Sequence, residues 1–146
     1  MTDVKTVIAD VVVDLQFGDC GKGKVVHHLA KNGDYTHVMR YNGGSNAGHT
    51  IYHNGEKFVT HLVPAGVFHG LPSIIGGGCV VDTCKLQNEI LALEDAGLPA
   101  RNLVRLAKNA HVVSEAHISE ECNEKRIGTT RTGNGPAYRD QHARVG

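Results

Sequence analysis

The chain has 146 residues, with Lys plus Arg and Asp plus Glu at 15 each. That length supports one domain with a core, and the balanced charge excludes a net field favouring nucleic acid or an anionic membrane, so any charged ligand is met locally. No apolar run approaches the roughly 18 residues of a membrane span, and the opening MTDVK lacks a signal-peptide pattern, so the expected compartment is the cytosol.

Residues 5–14 are Val-rich and nearly continuous, which predicts a first strand covered on both faces in a parallel sheet. The stretch DLQFGDCGKGKV over residues 14–25 then predicts a glycine loop turning into a helix over residues 21–30. Val25, Val26 and Leu29 would face the sheet, and Asn32 and Gly33 would end the helix. His27 and His28 are expected to pack or face solvent and not to bind a metal. A short strand over residues 36–41 leads into a second glycine loop, YNGGSNAGHT, over residues 41–50. Residues 51–59 are expected to form a hairpin, because Asn54 and Gly55 suit a two-residue turn with positive φ.

Pro64 and Gly66 end that hairpin, and residues 73–75 make a short buried strand running into Gly76, Gly77 and Gly78. Asp82 or Thr83 can cap a helix whose Leu86, Ile90 and Leu93 fall at helical spacing, with Gly97 as its stop, Pro99 beyond, and Glu94 and Asp95 solvated. A strand over residues 102–106 and a polar helix over residues 114–125 follow; the helix carries Glu115, Glu120, Glu121 and Glu124 as a wet face. A third glycine stretch, IGTTRTGNGPAY, occupies residues 127–138. Alternating strands and helices predict an α/β fold with a mainly parallel sheet, helices on both faces and a phosphate-binding glycine loop after the first strand. Cys20, Cys79, Cys84 and Cys122 include no C-x-x-C pair and are expected to be reduced thiols, their spacing fitting no zinc template.

Gly18, Gly23 and Lys24 fit the glycine, four residues, glycine, lysine core of a phosphate loop, but Val25 stands where a hydroxyl would ligate magnesium. Either the pattern is accidental or another group holds the metal, and Asp19 is a hard oxygen donor inside the loop. Asp19 could equally stabilise the turn through its own backbone. Asn46 and His49 bring an amide and an imidazole to the second loop, although a lone loop histidine is more often a surface residue. From the residues alone, a degenerate phosphate-loop binding module without ligase activity remains open; it calls for a downstream acidic magnesium motif, which the sequence lacks.

GDCGKGK, NAGHT and GTTRTGNGPAY, in that order, resemble the adenylosuccinate synthetase family, as do the intervening NGEK, HLVPAG and IGGGCVVD. Family members are several hundred residues long, so residues 1–146 are expected to be the N-terminal third of their nucleotide-binding ligase domain, inactive alone, with the guanine and aspartate sites beyond Gly146. The resemblance implies a purine-biosynthesis ligase that joins L-aspartate to carbon 6 of IMP through a 6-phosphoryl intermediate, using GTP and Mg2+. It implies that Asp19 is the base at ring nitrogen 1 and a metal ligand, that Gly48 lends its carbonyl oxygen to the metal, and that His49 is the general acid. The nucleotide-binding set it implies is Gly18, Asp19, Cys20, Gly21, Lys22, Gly23, Lys24, Asn46, Ala47, Gly48, His49, Thr50 and Thr130. Arg144 matches an arginine that reaches the neighbour's nucleotide in a homodimer.

Three departures bear on the substrate. Cys20 stands where the family has an acid, GTTRTGNGPAY replaces GTTGRGIGPAY around Arg131 and Thr132, and DLQFG replaces GTQWG. A similar DLQFG occurs in phage-encoded relatives that act on dGMP, where ATP or dATP is a possible donor, but those usually lack the acid that is Asp19 here. Retention of Asp19 favours IMP, with dGMP the alternative.

Overall fold

The computed structural model describes residues 8–16, 18, 20–46, 48–123 and 128–144. Its first element is helix α1 (Lys22–Asn32), followed by strands β1 (Val38–Gly43), β2 (His49–His53) and β3 (Glu56–Thr60), a 3-10 turn (Ala65–His69) and β4 (Ser73–Val81). Helices α2 (Thr83–Asp95) and α3 (Ala100–Leu103), strands β5 (Val104–Leu106) and β6 (His111–Val112), and helices α4 (Glu115–Asn123) and α5 (Asn134–Ala143) complete it.

β4 is the axis of the sheet. β1 pairs with it in parallel on one side, and β5 and then β6 pair with it in parallel along its length. Side chains of β4 alternate between two cores. Ile75, Cys79 and Val81 join Leu86 and Leu93 of α2, while Val80 packs with Val113, Ala137 of α5 and Ile118 of α4. The expected α/β fold, with a parallel sheet and a helix on each face of its central strand, is therefore present. β2 and β3 form a separate antiparallel hairpin closed by Asn54 and Gly55, with φ of 51° and 86°.

Several expectations need correction. Residues 8–14 form no strand, and Ile8, Val11, Val13 and Leu15 are exposed. A strand exists only where a neighbour takes its backbone N–H and C=O groups, and among the described residues none flanks this run. The glycine loop thus does not follow a strand within the described residues. α1 packs on β2 and the 3-10 turn, not on the parallel sheet, so Val26 joins the core and Val25 is exposed. His27 sits against the rings of His53, Phe68 and His69, a packing role as expected.

Gly76, Gly77 and Gly78 lie inside β4 and not after it. A Cβ on Gly78 would stand 2.4 Å from the Tyr41 carbonyl oxygen, at the register shift between Arg40 and Asn42, so only glycine permits β1 to approach there. The strand expected over residues 102–106 is half helix, α3, before β5 begins at Val104. The third glycine stretch ends in α5, which starts at Asn134 and carries Pro136 in its first turn, where no N–H is needed.

One acid expected to face water is tied instead: Glu121 accepts the N–H of Gly133, whereas Glu94 and Glu120 stay partly exposed in surface pairs with Arg101 and Arg139. Burial pushes the Glu121 carboxyl up, but bonds from Thr129 and from the N–H groups of Gly133, Thr132 and Gly135 outweigh it and hold the group below the usual carboxylate range. Glu124 lies outside the described residues. All four cysteines are free, as expected.

Candidate active site

A cavity of about 330 Å³ lies between α1, β1 and the hairpin. Gly21, with φ 80°, caps α1 in the left-handed region, and its carbonyl accepts from Lys24 N at 3.0 Å and Val25 N at 3.1 Å. This turn starts the helix beside the cavity and sets Lys22 and Gly23 in its wall. Lys22 is ion-paired with Asp14.

His49 is the first residue of β2, not part of a turn, and it lines the same wall. A Cβ on Gly23 would lie 2.7 to 2.9 Å from His49 Cβ, Cγ and Nδ1, so the absence of a side chain there lets the ring seat against the helix. Burial lowers the pKa of His49, helped by the positive charge of Arg40, Lys22 and His61 and opposed by Asp14. Near pH 7 the unliganded imidazole is therefore neutral.

The structure gathers Gly18, Lys22, Gly23, Asn46 and His49 around this one cavity. It does not bring the rest of the expected set to it. Cys20 is exposed, its thiol donating to the Gly18 carbonyl at 3.1 Å, and Lys24 is exposed on α1. Thr50 pairs with Val59 in the hairpin. Thr130 is exposed and bonded to Thr132 Oγ1 at 3.0 Å, and Arg144 is the exposed C-cap of α5. Asp19 and Ala47 lie outside the described residues. Gly48 is exposed, with the His61 ring on the side where a Cβ would project. Among the described residues no group of three or more His, Cys, Asp or Glu could hold a metal. Of the two groups expected to hold magnesium, the Asp19 carboxylate and the Gly48 carbonyl, only Gly48 lies among the described residues.

Sequence reasoning missed the residues that hold the walls. Arg40 donates to the carbonyls of His61, Gly44 (2.7 Å) and Asn42 (3.1 Å), tying the second glycine loop to the end of the hairpin. Its signal was present: alternation in β1 puts Arg40 on the inward side with Val38, an odd place for a guanidinium. Glu89 of α2 accepts the N–H groups of His61, Leu62 and Val63 at 2.9 to 3.1 Å. Tyr138 of α5 accepts from Gly43 N at 2.7 Å and donates to the Gly78 carbonyl at 2.8 Å, fixing β1 to β4 where the loop leaves.

A parallel α/β sheet with glycine-rich loops beside a cleft, lined by apolar side chains together with Lys22, Arg40, Asn46 and His49, defines an α/β protein with one candidate ligand site. Residues 11–146 match the adenylosuccinate synthetase family model, and the chain belongs to that family. It is 44% identical to the adenylosuccinate synthetase of Chlorobium chlorochromatii strain CaD3 over 95% of the chain and 33% of that protein. It is 46% identical to that of Geobacillus sp. strain WCH70 over 93% of the chain and 33% of that protein. The chain thus spans about a third of the length of these relatives. Among solved structures it is similar to the fully ligated adenylosuccinate synthetase of Plasmodium falciparum, with 36% identity, TM-score 0.74 and coverage of 88% of this chain and 31% of that one. It is also similar to the cyanophage S-2L succinoaminodeoxyadenylate synthetase bound to dGMP and dATP, with 32% identity, TM-score 0.72 and coverage of 90% and 37%.

Proposed function

We propose that this chain carries the proton-transfer and phosphoryl-transfer part of a ligase that joins L-aspartate to the 6-oxo position of a purine nucleotide, making adenylosuccinate from IMP with GTP as donor. The observation that carries the reading is the convergence of His49, Gly23, Lys22 and Asn46 on one cavity. An oxygen on carbon 6 is a poor leaving group and must first be phosphorylated. Removing the proton from ring nitrogen 1 makes that oxygen nucleophilic, and a carboxylate is the group for this; Asp19 takes that role. His49, neutral in the free site, donates a hydrogen bond to the 6-oxygen and stabilises charge there as phosphoryl arrives.

Gly18, Cys20, Gly21, Gly23, Lys24, Ala47 and Thr50 lend backbone donors and charge to the nucleotide phosphates, and α1 adds its N-terminal dipole. Asn46 and Thr130 hold the purine nucleotide, and the exposed Arg144 reaches the neighbouring site of a homodimer. The Asp19 carboxylate and the Gly48 carbonyl would hold magnesium, which when bound neutralises phosphate charge. No described helix is long and apolar enough to cross a membrane, and we place the reaction in the cytoplasm. A second reading, the same chemistry on dGMP with ATP or dATP, is favoured by DLQFG and by the likeness to the cyanophage synthetase.

Steady-state kinetics of the intact protein with IMP and with dGMP tests both. Turnover of IMP at the higher kcat/KM is expected, and Asp19→Asn abolishes it. Retention of more than about a tenth of the rate would contradict a base worth 10²-fold or more.

A further inference from the structure

We propose that Thr60 is a positioning residue of this site, its hydroxyl being the hydrogen-bond partner that fixes the His49 imidazole; the inference rests on the ligase reading of His49. The β2–β3 register sets His49 directly opposite Thr60. Residues so paired carry their side chains on one face of a ladder, with Cβ atoms about 4.5–5.5 Å apart. Both line the same cavity.

Thr60 is 2% exposed, and its Oγ1 has no hydrogen-bond partner among the described residues. A buried hydroxyl left so is unfavourable, and valine would fill the same volume without that cost. His49 is unpartnered as well: neither ring nitrogen makes a hydrogen bond within the described residues, and the ring rests on Gly23 by shape alone. An imidazole with no bonded nitrogen has no fixed tautomer and cannot present a chosen nitrogen to a substrate.

Of the other polar side chains in the wall, Tyr41, Asn42 and Asn46 are exposed and two are committed. Lys22 is held by Asp14 and Arg40 by three carbonyls. The orphaned Nδ1 of His61 sits beside Gly48, and its residue does not line the cavity. The Thr60 hydroxyl is the buried, uncommitted acceptor on His49's own face. A turn of the ring off Gly23 brings Nδ1–H to Thr60 Oγ1, leaves Nε2 toward the cavity, and frees the hydroxyl proton for a ligand oxygen.

The test pairs imidazole 15N spectra of the ligand-free intact protein with IMP and dGMP kinetics, for wild type, Thr60→Val and Thr60→Ser. Wild type and Thr60→Ser are expected to show His49 as the Nδ1–H tautomer, with Thr60→Val a mixture. In Thr60→Val kcat falls roughly five- to tenfold, the size of one hydrogen bond, with KM little changed, and serine restores it. The melting midpoint of Thr60→Val stays at or above wild type, which separates positioning from folding. An unchanged tautomer in Thr60→Val overturns the proposal, as does a changed tautomer with unchanged kcat. If the wild type turns over neither nucleotide, the ligase reading fails, and the spectra alone still decide whether Thr60 fixes His49.

Discussion

Replacing Glu89 should disable the site from behind. Its two carboxylate oxygens accept three consecutive backbone N–H groups at 2.9 to 3.1 Å, and Leu62 and Val63 are 0% and 1% exposed, so water cannot replace the acceptor there. A hydrogen bond to a charged group contributes about 1.5–3 kcal/mol net, and three would sum to about 4.5–9 if independent. They share one side chain and one turn that can relax, so Glu89→Ala should cost about 3–5 kcal/mol, a large part of the roughly 5–15 kcal/mol that holds a domain folded. Glu89→Gln keeps the shape but turns an NH2 toward N–H donors, and should cost about 2 kcal/mol. Urea unfolding followed by circular dichroism gives both values, with the slope unchanged if the transition stays two-state. The effect reaches function because the His61 carbonyl at the head of this turn receives Arg40, which also holds Asn42 and Gly44. The kcat of Glu89→Gln should therefore fall even at temperatures where it is fully folded. Losses below about 1 kcal/mol for both variants, outside the range of buried-donor penalties, would refute the reasoning.

Gly23→Ala places a methyl 2.7 to 2.9 Å from three atoms of His49, so the ring or the start of α1 must move. Overpacking of this kind costs about 1–3 kcal/mol, and a melting curve beside a kcat measurement should show both quantities fall; an alanine variant with wild-type values of each would contradict the contact. Acid should loosen the seat of α1. His27 and His69 are both lowered from 6.5, first by burial, then by neighbouring positive charge: His69, His53, Lys31 and His28 act on His27, and His53 and Lys31 on His69. The unfolded chain then binds more protons than the folded one as pH drops through 6.5, so stability present above that value is lost below it. The melting temperature should be lower at pH 5.5 than at pH 7.5, and His69→Gln should shrink the difference; an equal or higher midpoint at pH 5.5 would reverse the sign.

What the sequence made legible is what depends on one residue's own backbone or its near neighbours. Asn54 and Gly55 announce the hairpin because φ above zero is a local demand. Asp82 caps α2 through Lys85 N, three residues on, and Gly97 closes it with its N–H on the Glu94 carbonyl while Leu98 N reaches Leu93. Gly76 to Gly78 misled for a related reason. Glycine signals either a turn or a close approach, and which of these holds depends on where Tyr41 lies, in another strand. The apolar run over residues 8–14 shows strand propensity without the partner that makes a strand.

The same division runs through the site. Its glycines and His49 stand out as motifs, but the groups that hold them do not, because their partners lie far along the chain. Arg40 and His61 are 21 residues apart, Glu89 and Leu62 are 27, and Tyr138 and Gly43 are 95. No periodicity or capping rule links residues at such distances, and each acts on a backbone carbonyl or N–H that any residue type could supply. The alternation that sets Arg40, half-buried in the structure, on the same face of β1 as Val38 was the one trace in the sequence. The family's motifs thus lie in short loops that a sequence exposes, while the geometry that holds those loops in place is carried by single long-range polar contacts that only the fold brings into view.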